Sequence, residues 1–209
     1  CRASNYIHLL RKALMKSGYG YSPVVSLSAN GMEKNPGFKL TPMMLDRVFY
    51  ALNYGDLLML LANQCRPYEL EPGATDALVD KWAKRLTGEM KGRGLLSYKR
   101  VRRNYDAIIR DFAALPREKT EKIRVGVVGE IYVKFSPLGN NNLEEFLLSE
   151  GAEPVVPGLT DFMIFKIYNR VADVDLYGGK LIKKAACRAF MSYIQSCQKD
   201  MIQALERSG

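Results

Sequence analysis

KIRVGVVGE, at residues 122–130, decides the fold that we expect for this chain. It is a short β-branched run that ends in a glycine and a carboxylate, and a second apolar run follows at Pro154-Val155-Val156. Buried parallel strands have continuous apolar runs rather than alternating ones. A polar loop and an acidic-fronted helix, residues 143–150, separate the two runs. The order strand, loop, helix, strand therefore predicts two parallel strands joined by a right-handed crossover.

The residues at the ends of this crossover are candidates for a ligand-binding site. Ligands of parallel α/β sheets lie beyond the carboxyl ends of the strands, which is where Glu130 falls. The asparagines at 140–142 precede the next helix, whose unpaired N–H groups favour an anion. We expect Glu130, Asn140 and Asn141 to border one concave surface that holds a carboxylate, phosphate or sulfate. The alternative is that Asn141 or Asn142 only caps the helix and Glu130 pairs with a local lysine.

The glycines of the first strand do not complete a phosphate-binding loop. Residues 125–130 lack the G-x-G-x-x-G pattern and the lysine of a P-loop. Gly126 falls inside the predicted strand, where the absence of a side chain allows close packing against a helix.

Most of the remaining chain is predicted to be helical from its apolar spacing. The expected fold class is α/β, with a small parallel Rossmann-like sheet and a large helical portion. We divide residues 1–209 into a partial α/β unit at 1–40, a helical segment at 41–118, and a strand–helix–strand unit with carboxyl-terminal helices at 119–209. The predicted helices cover 4–17, 43–63, 75–90, 97–115, 161–172 and 181–206, and one more strand is predicted at 23–27. The predicted core contains Trp82, Phe112, Ile123, Val125, Val127 and Phe190.

Arg66 is a further candidate for binding an anion. The compact polar sequence Arg66-Pro67-Tyr68-Glu69 follows an apolar helix. A guanidinium group can clamp a carboxylate or phosphate through two parallel hydrogen bonds. The alternative is an internal pair between Arg66 and Glu69 that fixes the turn.

The chain carries a net charge of +9, and its densest positive part is residues 91–103, called the basic stretch below. Such a stretch attracts nucleic acid, a phosphorylated ligand or an acidic protein face, unless it is only a solvated loop and helix start. It contains one aromatic residue, Tyr98, and no RNP-like or zinc-finger pattern, so we do not expect nucleic acid as a partner. Its basic residues are Lys91, Arg93, Lys99, Arg100, Arg102 and Arg103.

The cysteines do not form a recognisable metal or redox motif. Cys1, Cys65, Cys187 and Cys197 include no C-x-x-C pair, and we expect buried free thiols in a reducing cytoplasm.

The single histidine, His8, has no nucleophile pattern beside it, which argues against a catalytic triad. No apolar run is long enough to span a membrane, so a cytoplasmic protein without a membrane partner is expected.

Two sequence blocks are specific in their order and spacing. The first is Gly-Asp-Leu-Leu at 55–58, with Arg-Pro-Tyr-Glu at 66–69 and Pro-Gly at 72–73. The second is Val-Gly-Val-Val-Gly-Glu-Ile-Tyr-Val-Lys at 125–134, with Asn-Asn-Leu at 141–143, Glu-Gly-Ala-Glu at 150–153 and Val-Val-Pro at 155–157. Together they resemble the carboxyl-terminal part of large acyl-CoA dehydratase activase proteins, which are related to 2-hydroxyglutaryl-CoA dehydratase. The resemblance covers most of residues 1–170.

This resemblance implies a module of an iron–sulfur protein. In that family an activator uses ATP and a cluster to deliver one low-potential electron, and the dehydratase removes water from a 2-hydroxyacyl-CoA through a ketyl radical. The chain has no ATPase signature, so it resembles the dehydratase-subunit-like part. The implied partners are upstream ATPase and dehydratase-like modules of the parent chain and a CoA-type ligand.

The resemblance also assigns a role to Cys1. Cys1-Arg2 resembles a Gly-Pro-Cys-Arg element, so Cys1 is a candidate cluster ligand whose partner residues lie upstream. Clusters usually need four ligands, and the loop after Gly129 contains no cysteine, unlike that of dehydratase subunits. We therefore expect an inactive fragment without a cofactor of its own, cut from a parent that carries the cluster. The other interpretation is a binding or docking module whose basic stretch holds an acidic partner or the phosphates of CoA.

Overall fold

The computed structural model describes residues 5–24, 41–92 and 94–207. The chain divides into two compact units, Cys1–Thr41 and Pro42–Gly209. In the first unit, helix α1 spans Tyr6–Lys16, buries no residue, and agrees with the helix predicted at 4–17. Most of the strand predicted at 23–27 lies outside the described residues.

The second unit is mostly helical, with one small parallel sheet. Its first helices are α2 (Pro42–Cys65), α3 (Ala74–Met90) and α4 (Tyr98–Ala113), with a 3₁₀ turn at Arg66–Tyr68 after α2. Strands β1 (Arg124–Gly126) and β2 (Glu153–Val155) enclose the short helices α5 (Ile131–Phe135), α6 (Pro137–Asn140) and α7 (Leu143–Ser149). The chain ends in two long helices, α8 (Leu159–Tyr177) and α9 (Leu181–Glu206).

The main core lies between helices α2, α3, α4 and α9. The stripe predicted on α4 is confirmed, because its apolar residues recur at helical spacing and all of them are buried. Trp82 of α3 and Ile194 of α9 are buried in the same cluster. The stripe of α4 consists of Val101, Tyr105, Ile108, Ile109 and Phe112.

The predicted parallel pair of strands is confirmed, although each strand is short. Arg124 pairs with Glu153, Val125 with Pro154, and Gly126 with Val155. Beneath the pair is a second, smaller apolar cluster of Val127, Leu147, Ala152 and Val156. After Val127 the chain leaves the sheet, and the backbone of Gly129 takes a positive φ of 140°. The crossover region is therefore a small unit beside the helical core.

The predicted core is right for Trp82, Phe112 and Val127, which are buried, while Val125 is half-buried. It is wrong for Ile123, which is 78% exposed, and for Phe190, which is 44% exposed. Ile123 precedes β1 and lies outside the covered part of the sheet. Phe190 lies on the first half of α9, whereas every buried residue of α9 lies on its second half.

Gly126 does not pack closely against a helix, contrary to the prediction. A Cβ atom built at Gly126 meets no other atom within 4 Å. The close approach occurs instead at Gly158, where a Cβ atom would lie 2.7 Å from Oδ2 of Asp56. Glycine is required at Gly158 because a carboxylate from another helix lies against its backbone.

That carboxylate fixes the start of α8. Asp56 belongs to α2, is nearly buried, and accepts hydrogen bonds from the backbone N–H groups of Leu159 (2.7 Å) and Thr160 (2.8 Å). It also accepts one from the Thr160 hydroxyl at 2.5 Å. The first N–H groups of a helix have no partner within the helix, and a carboxylate is the most favourable acceptor for them. Asp56 therefore caps α8 from a distant part of the chain.

Candidate functional site

The residues predicted at the strand end all take part in local capping. One carboxylate oxygen of Glu130 accepts the N–H of Tyr132 at 2.9 Å and caps α5. The side-chain oxygen of Asn140 accepts the N–H of Leu143 at 3.2 Å at the start of α7. Asn141 ends α6 in the left-handed conformation, with a φ of 55°. The capping alternative named Asn141 or Asn142, but the side chain that bonds the start of α7 is that of Asn140. Within the described residues no lysine forms an ion pair with Glu130, and the ligand-binding role of the three residues stays a prediction.

Arg66 pairs with Asp76 rather than with Glu69. Both Nε and Nη2 of Arg66 lie 2.7 Å from Oδ1 of Asp76. Glu69 instead accepts the N–H groups of Gly73 (2.6 Å) and Thr75 (2.9 Å) and caps α3. Burial tends to raise the pKa of Glu69, but its hydrogen bonds with Thr75 and Gly73 outweigh burial and lower that pKa. Arg66 thus orders the turn before α3, and its role in ligand binding stays a prediction.

Helices α3 and α4 enclose a cleft of about 330 Å³, called the arginine cleft below. Arg85 enters it from α3, while Arg100 and Arg103 enter it from α4. Arg100 and Arg103 are three residues apart on one helix, so their side chains lie on the same face. The cleft is lined by Arg85, Glu89, Arg100, Arg103, Asn104 and Ala107.

A buried amide holds the acidic residue of the cleft in place. Asn104 is buried, and its Nδ2 donates to Oε2 of Glu89 at 2.9 Å and to the hydroxyl of Tyr54 at 3.1 Å. Burial raises the pKa of Tyr54 to about 12, although the Asn104 hydrogen bond opposes this shift. The Tyr54 hydroxyl behind Asn104 is therefore neutral at physiological pH, and Glu89 is the one acidic residue that lines the cleft.

The cleft has more positive than negative groups. Arg85 is held by Glu89, with Nε 3.4 Å from Oε1, and its guanidinium lies 4.6 Å from the centre of the Trp82 ring. In the part of the chain that the structure describes, Arg100 and Arg103 have no ion-pair partner. Three guanidinium groups against one carboxylate leave two positive charges uncompensated. A carboxylate or phosphate is the group that such an arrangement favours.

The basic stretch does not act as one surface. Arg100 and Arg103 line the cleft, whereas Arg102 points towards α9, with Nε 3.6 Å from Oδ2 of Asp200. Lys91 and Lys99 are exposed, and Arg93 lies outside the described residues. Three residues that line the cleft were not predicted from the sequence, namely Arg85, Glu89 and Asn104. A signal for the first two was present, because Arg85 and Glu89 have the i, i+4 spacing of a helical ion pair.

Tyrosine hydroxyls surround one buried thiol inside the helical core. The hydroxyls of Tyr50 and Tyr193 lie 2.5 Å apart, and Tyr98 donates to Asp200 at 2.5 Å. Cys197 is completely buried beside them, and burial raises the pKa of its thiol. A thiol with a raised pKa is protonated and inert, so this cluster is structural.

The prediction of buried free thiols is confirmed for Cys65 and Cys197, and Cys187 is free and half-buried. Cys1 lies outside the described residues, so its role as a cluster ligand stays a prediction. Burial raises the pKa of Cys65 as well as that of Cys197, and the Cys65 sulfur lies 3.8 Å from Nη1 of Arg117. Both thiols are packed in the apolar core as structural cysteines are.

Within residues 5–24, 41–92 and 94–207, no three or more His, Cys, Asp or Glu side chains come together as a metal site would require. No helix in these ranges has the length and apolar character needed to cross a bilayer.

No protein-family model, no curated protein and no solved structure matches this chain.

Proposed function

We propose that this chain is a binding module whose arginine cleft holds the phosphate groups of a ligand of the CoA type. The observation that carries the proposal is the pair Arg100 and Arg103, which enter one cleft from one helix face without an ion-pair partner among the described residues. Guanidinium groups match phosphate oxygens bidentately and are more weakly hydrated than ammonium groups. A cleft of about 330 Å³ has room for a pyrophosphate group.

Arg85 completes the proposed phosphate site from the opposite helix. Its contact with the Trp82 ring limits its side-chain freedom, so less entropy is lost when it binds a ligand. Its ion pair with Glu89 is long, at 3.4 Å, and half of the Arg85 side chain is exposed. Exposed pairs of this kind contribute little, about 0–1 kcal/mol, so a phosphate can replace Glu89 as the partner of Arg85 at small cost.

On the sequence resemblance alone, we further propose that the parent is an acyl-CoA dehydratase or activase-like iron–sulfur protein of the cytoplasm. The parallel pair β1–β2 supports the Rossmann-like part of this proposal. The upstream ATPase and dehydratase-like modules remain its proposed partners, and Cys1 its proposed cluster ligand. Glu130, Asn140, Asn141 and Arg66 remain proposed ligand contacts outside the arginine cleft.

Calorimetric titration with CoA and with pyrophosphate tests the phosphate site. We expect both to bind the whole chain, more weakly as salt concentration rises. The double substitution Arg100→Gln and Arg103→Gln should weaken binding at least tenfold, since each hydrogen bond to a charged group contributes about 1.5–3 kcal/mol. The matched control is Lys99→Gln with Arg110→Gln, which removes the same charge from exposed positions outside the cleft.

Equal losses of affinity in the two double variants would show that only the overall charge matters for binding. That result would refute the proposed phosphate site. Polyglutamate separates a phosphate ligand from an acidic protein partner. If polyglutamate binds through Arg100 and Arg103 while CoA and pyrophosphate do not, the cleft is a docking site for an acidic protein face.

A further inference from the structure

The turn between α8 and α9 exposes large apolar side chains at the end of a helical hairpin. We call residues 176–183 the hairpin tip. Two apolar residues lie on each side of the turn, and they are 74% to 84% exposed. They are Leu176, Tyr177, Leu181 and Ile182. Scattered exposed apolar residues are ordinary, but these four flank one short turn and so lie at the same end of the hairpin.

The hairpin tip extends beyond the helical core. The buried residues of α9 are Ile194, Cys197, Met201 and Ala204, all in its second half. Its first half lies along α8, with Lys184, Cys187 and Met191 half-buried. It meets α2 only towards its middle, where the rings of Phe190 and Tyr193 lie beside that of Phe49. The apolar residues of the tip therefore contribute nothing to the core of this unit, and folding does not require them.

The turn itself is narrow and lacks side chains at its apex. Gly178 has a φ of 77°, which lies in the left-handed region and favours glycine. Gly179 follows it. Because neither glycine has a side chain, the flanking apolar residues supply most of the side-chain surface at this end of the hairpin. This apolar end of the hairpin is called the wedge below.

Positive charge surrounds the wedge. Lys180 and Lys183 are exposed and have no ion-pair partner within the described ranges. One turn further along α9, Lys184 and Arg188 both pair with Asp175 of α8. Asp173 is the other carboxylate on the last turns of α8. Four basic groups against two acidic ones leave this end of the hairpin positive.

We propose that the hairpin tip inserts into an anionic lipid surface. Tyrosine and aliphatic side chains with adjacent lysines are the groups that bind at the boundary between headgroups and acyl chains. The adjacent exposed lysines, Lys180 and Lys183, favour an anionic surface over an apolar protein pocket as the occupant. This inference departs from the sequence-based expectation of no membrane partner. That expectation was based on the absence of an apolar run long enough to span a membrane. A hairpin tip that inserts into one leaflet does not need such a run.

Vesicle sedimentation with the whole chain tests the insertion. We expect binding to phosphatidylcholine vesicles that contain about 30% phosphatidylglycerol and little binding to phosphatidylcholine alone. Substituting Leu176→Ser, Leu181→Ser and Ile182→Ser together should reduce binding by about tenfold or more. The matched control is Ile123→Ser with Leu138→Ser, which are equally exposed and lie outside the hairpin.

The charge contribution has its own variant and control. Lys180→Gln with Lys183→Gln should weaken binding to anionic vesicles by about 10- to 30-fold. Lys119→Gln with Lys199→Gln removes the same charge from exposed positions outside the tip and should have a smaller effect. Arg100→Gln with Arg103→Gln should leave vesicle binding intact, so this inference and the proposed phosphate site fail or succeed separately.

Depth of insertion is read from a Tyr177→Trp substitution. Brominated acyl chains quench only a nearby indole, and the native Trp82 is buried in the protein core. We expect quenching of the introduced indole on anionic vesicles. Absence of quenching, unchanged binding of the serine variant, or self-association of the wild type without vesicle binding would each overturn the proposal.

Discussion

Asp56 is the residue on which the packing of α8 depends most directly. Its carboxylate accepts three hydrogen bonds from Leu159 and Thr160 while it lies nearly buried. Removing it leaves buried donors without a partner, which is more costly than losing a surface cap. The absence of a side chain at Gly158 is what allows the carboxylate to approach.

We expect Asp56→Ala to lower the free energy of unfolding by about 2–4 kcal/mol. Gly158→Ala should lower it by about 1–3 kcal/mol, because the added methyl group overlaps the Asp56 carboxylate. Gly55→Ala is the control, since Gly55 is helical and nothing lies within 4 Å of the added atom. That change should raise stability by about 0.5–1 kcal/mol. Urea denaturation measures the free energy of unfolding of all three variants. An unchanged value for Asp56→Ala would refute the capping role of Asp56.

At the scale of elements, helices were easier to predict than strands. The helix predicted at 181–206 agrees with α9 (Leu181–Glu206), because a long apolar stripe between a glycine turn and a polar end defines it. The strand pair was also predicted, but the apolar run at 122–130 shortens to Arg124–Gly126. Strand length depends on pairing with neighbours, which local sequence does not encode.

Only part of the arginine cleft could be predicted from the sequence. Arg100 and Arg103 belong to the basic stretch, but Arg85 and Asn104 join them through the packing of α3 on α4. Likewise, the stripe on α9 gives no indication that the buried residues of this helix all lie in its second half. Phe190 shares that stripe with Ile194, and only tertiary packing distinguishes the two.

Phe112 and Phe190 provide a matched pair on two core helices. Phe112→Ala should lower the free energy of unfolding by about 3–5 kcal/mol, since the ring is almost fully buried. Phe190→Ala should cost less than about 1.5 kcal/mol, because nearly half of that side chain is in solvent. Thermal and urea unfolding of the two variants measures the difference. Similar losses would mean that the first half of α9 is buried in solution.

At the scale of the whole chain, cysteine chemistry limits what the module does alone. Cys65 and Cys197 are buried in the core, and within the described residues no three His, Cys, Asp or Glu side chains come together. After anaerobic reconstitution with iron and sulfide, we expect much less than one cluster per chain. Iron and sulfide analysis with visible absorption measures this. A stoichiometric cluster would show that the iron–sulfur chemistry of the proposed family resides in this module.

The bond from Asp56 to Leu159 joins residues 103 positions apart. During synthesis on the ribosome, α2 emerges long before α8 and α9 exist to cover it. Its apolar residues Leu57, Leu58 and Leu61 then face water beside a carboxylate that has nothing to cap. Molecular chaperones bind apolar segments in this state, and we expect the nascent chain to be sensitive to aggregation until α9 is complete. Truncation within α9 should therefore destabilise α2 as much as the helices that are cut. This holds although α2 lies at the opposite end of this unit's sequence.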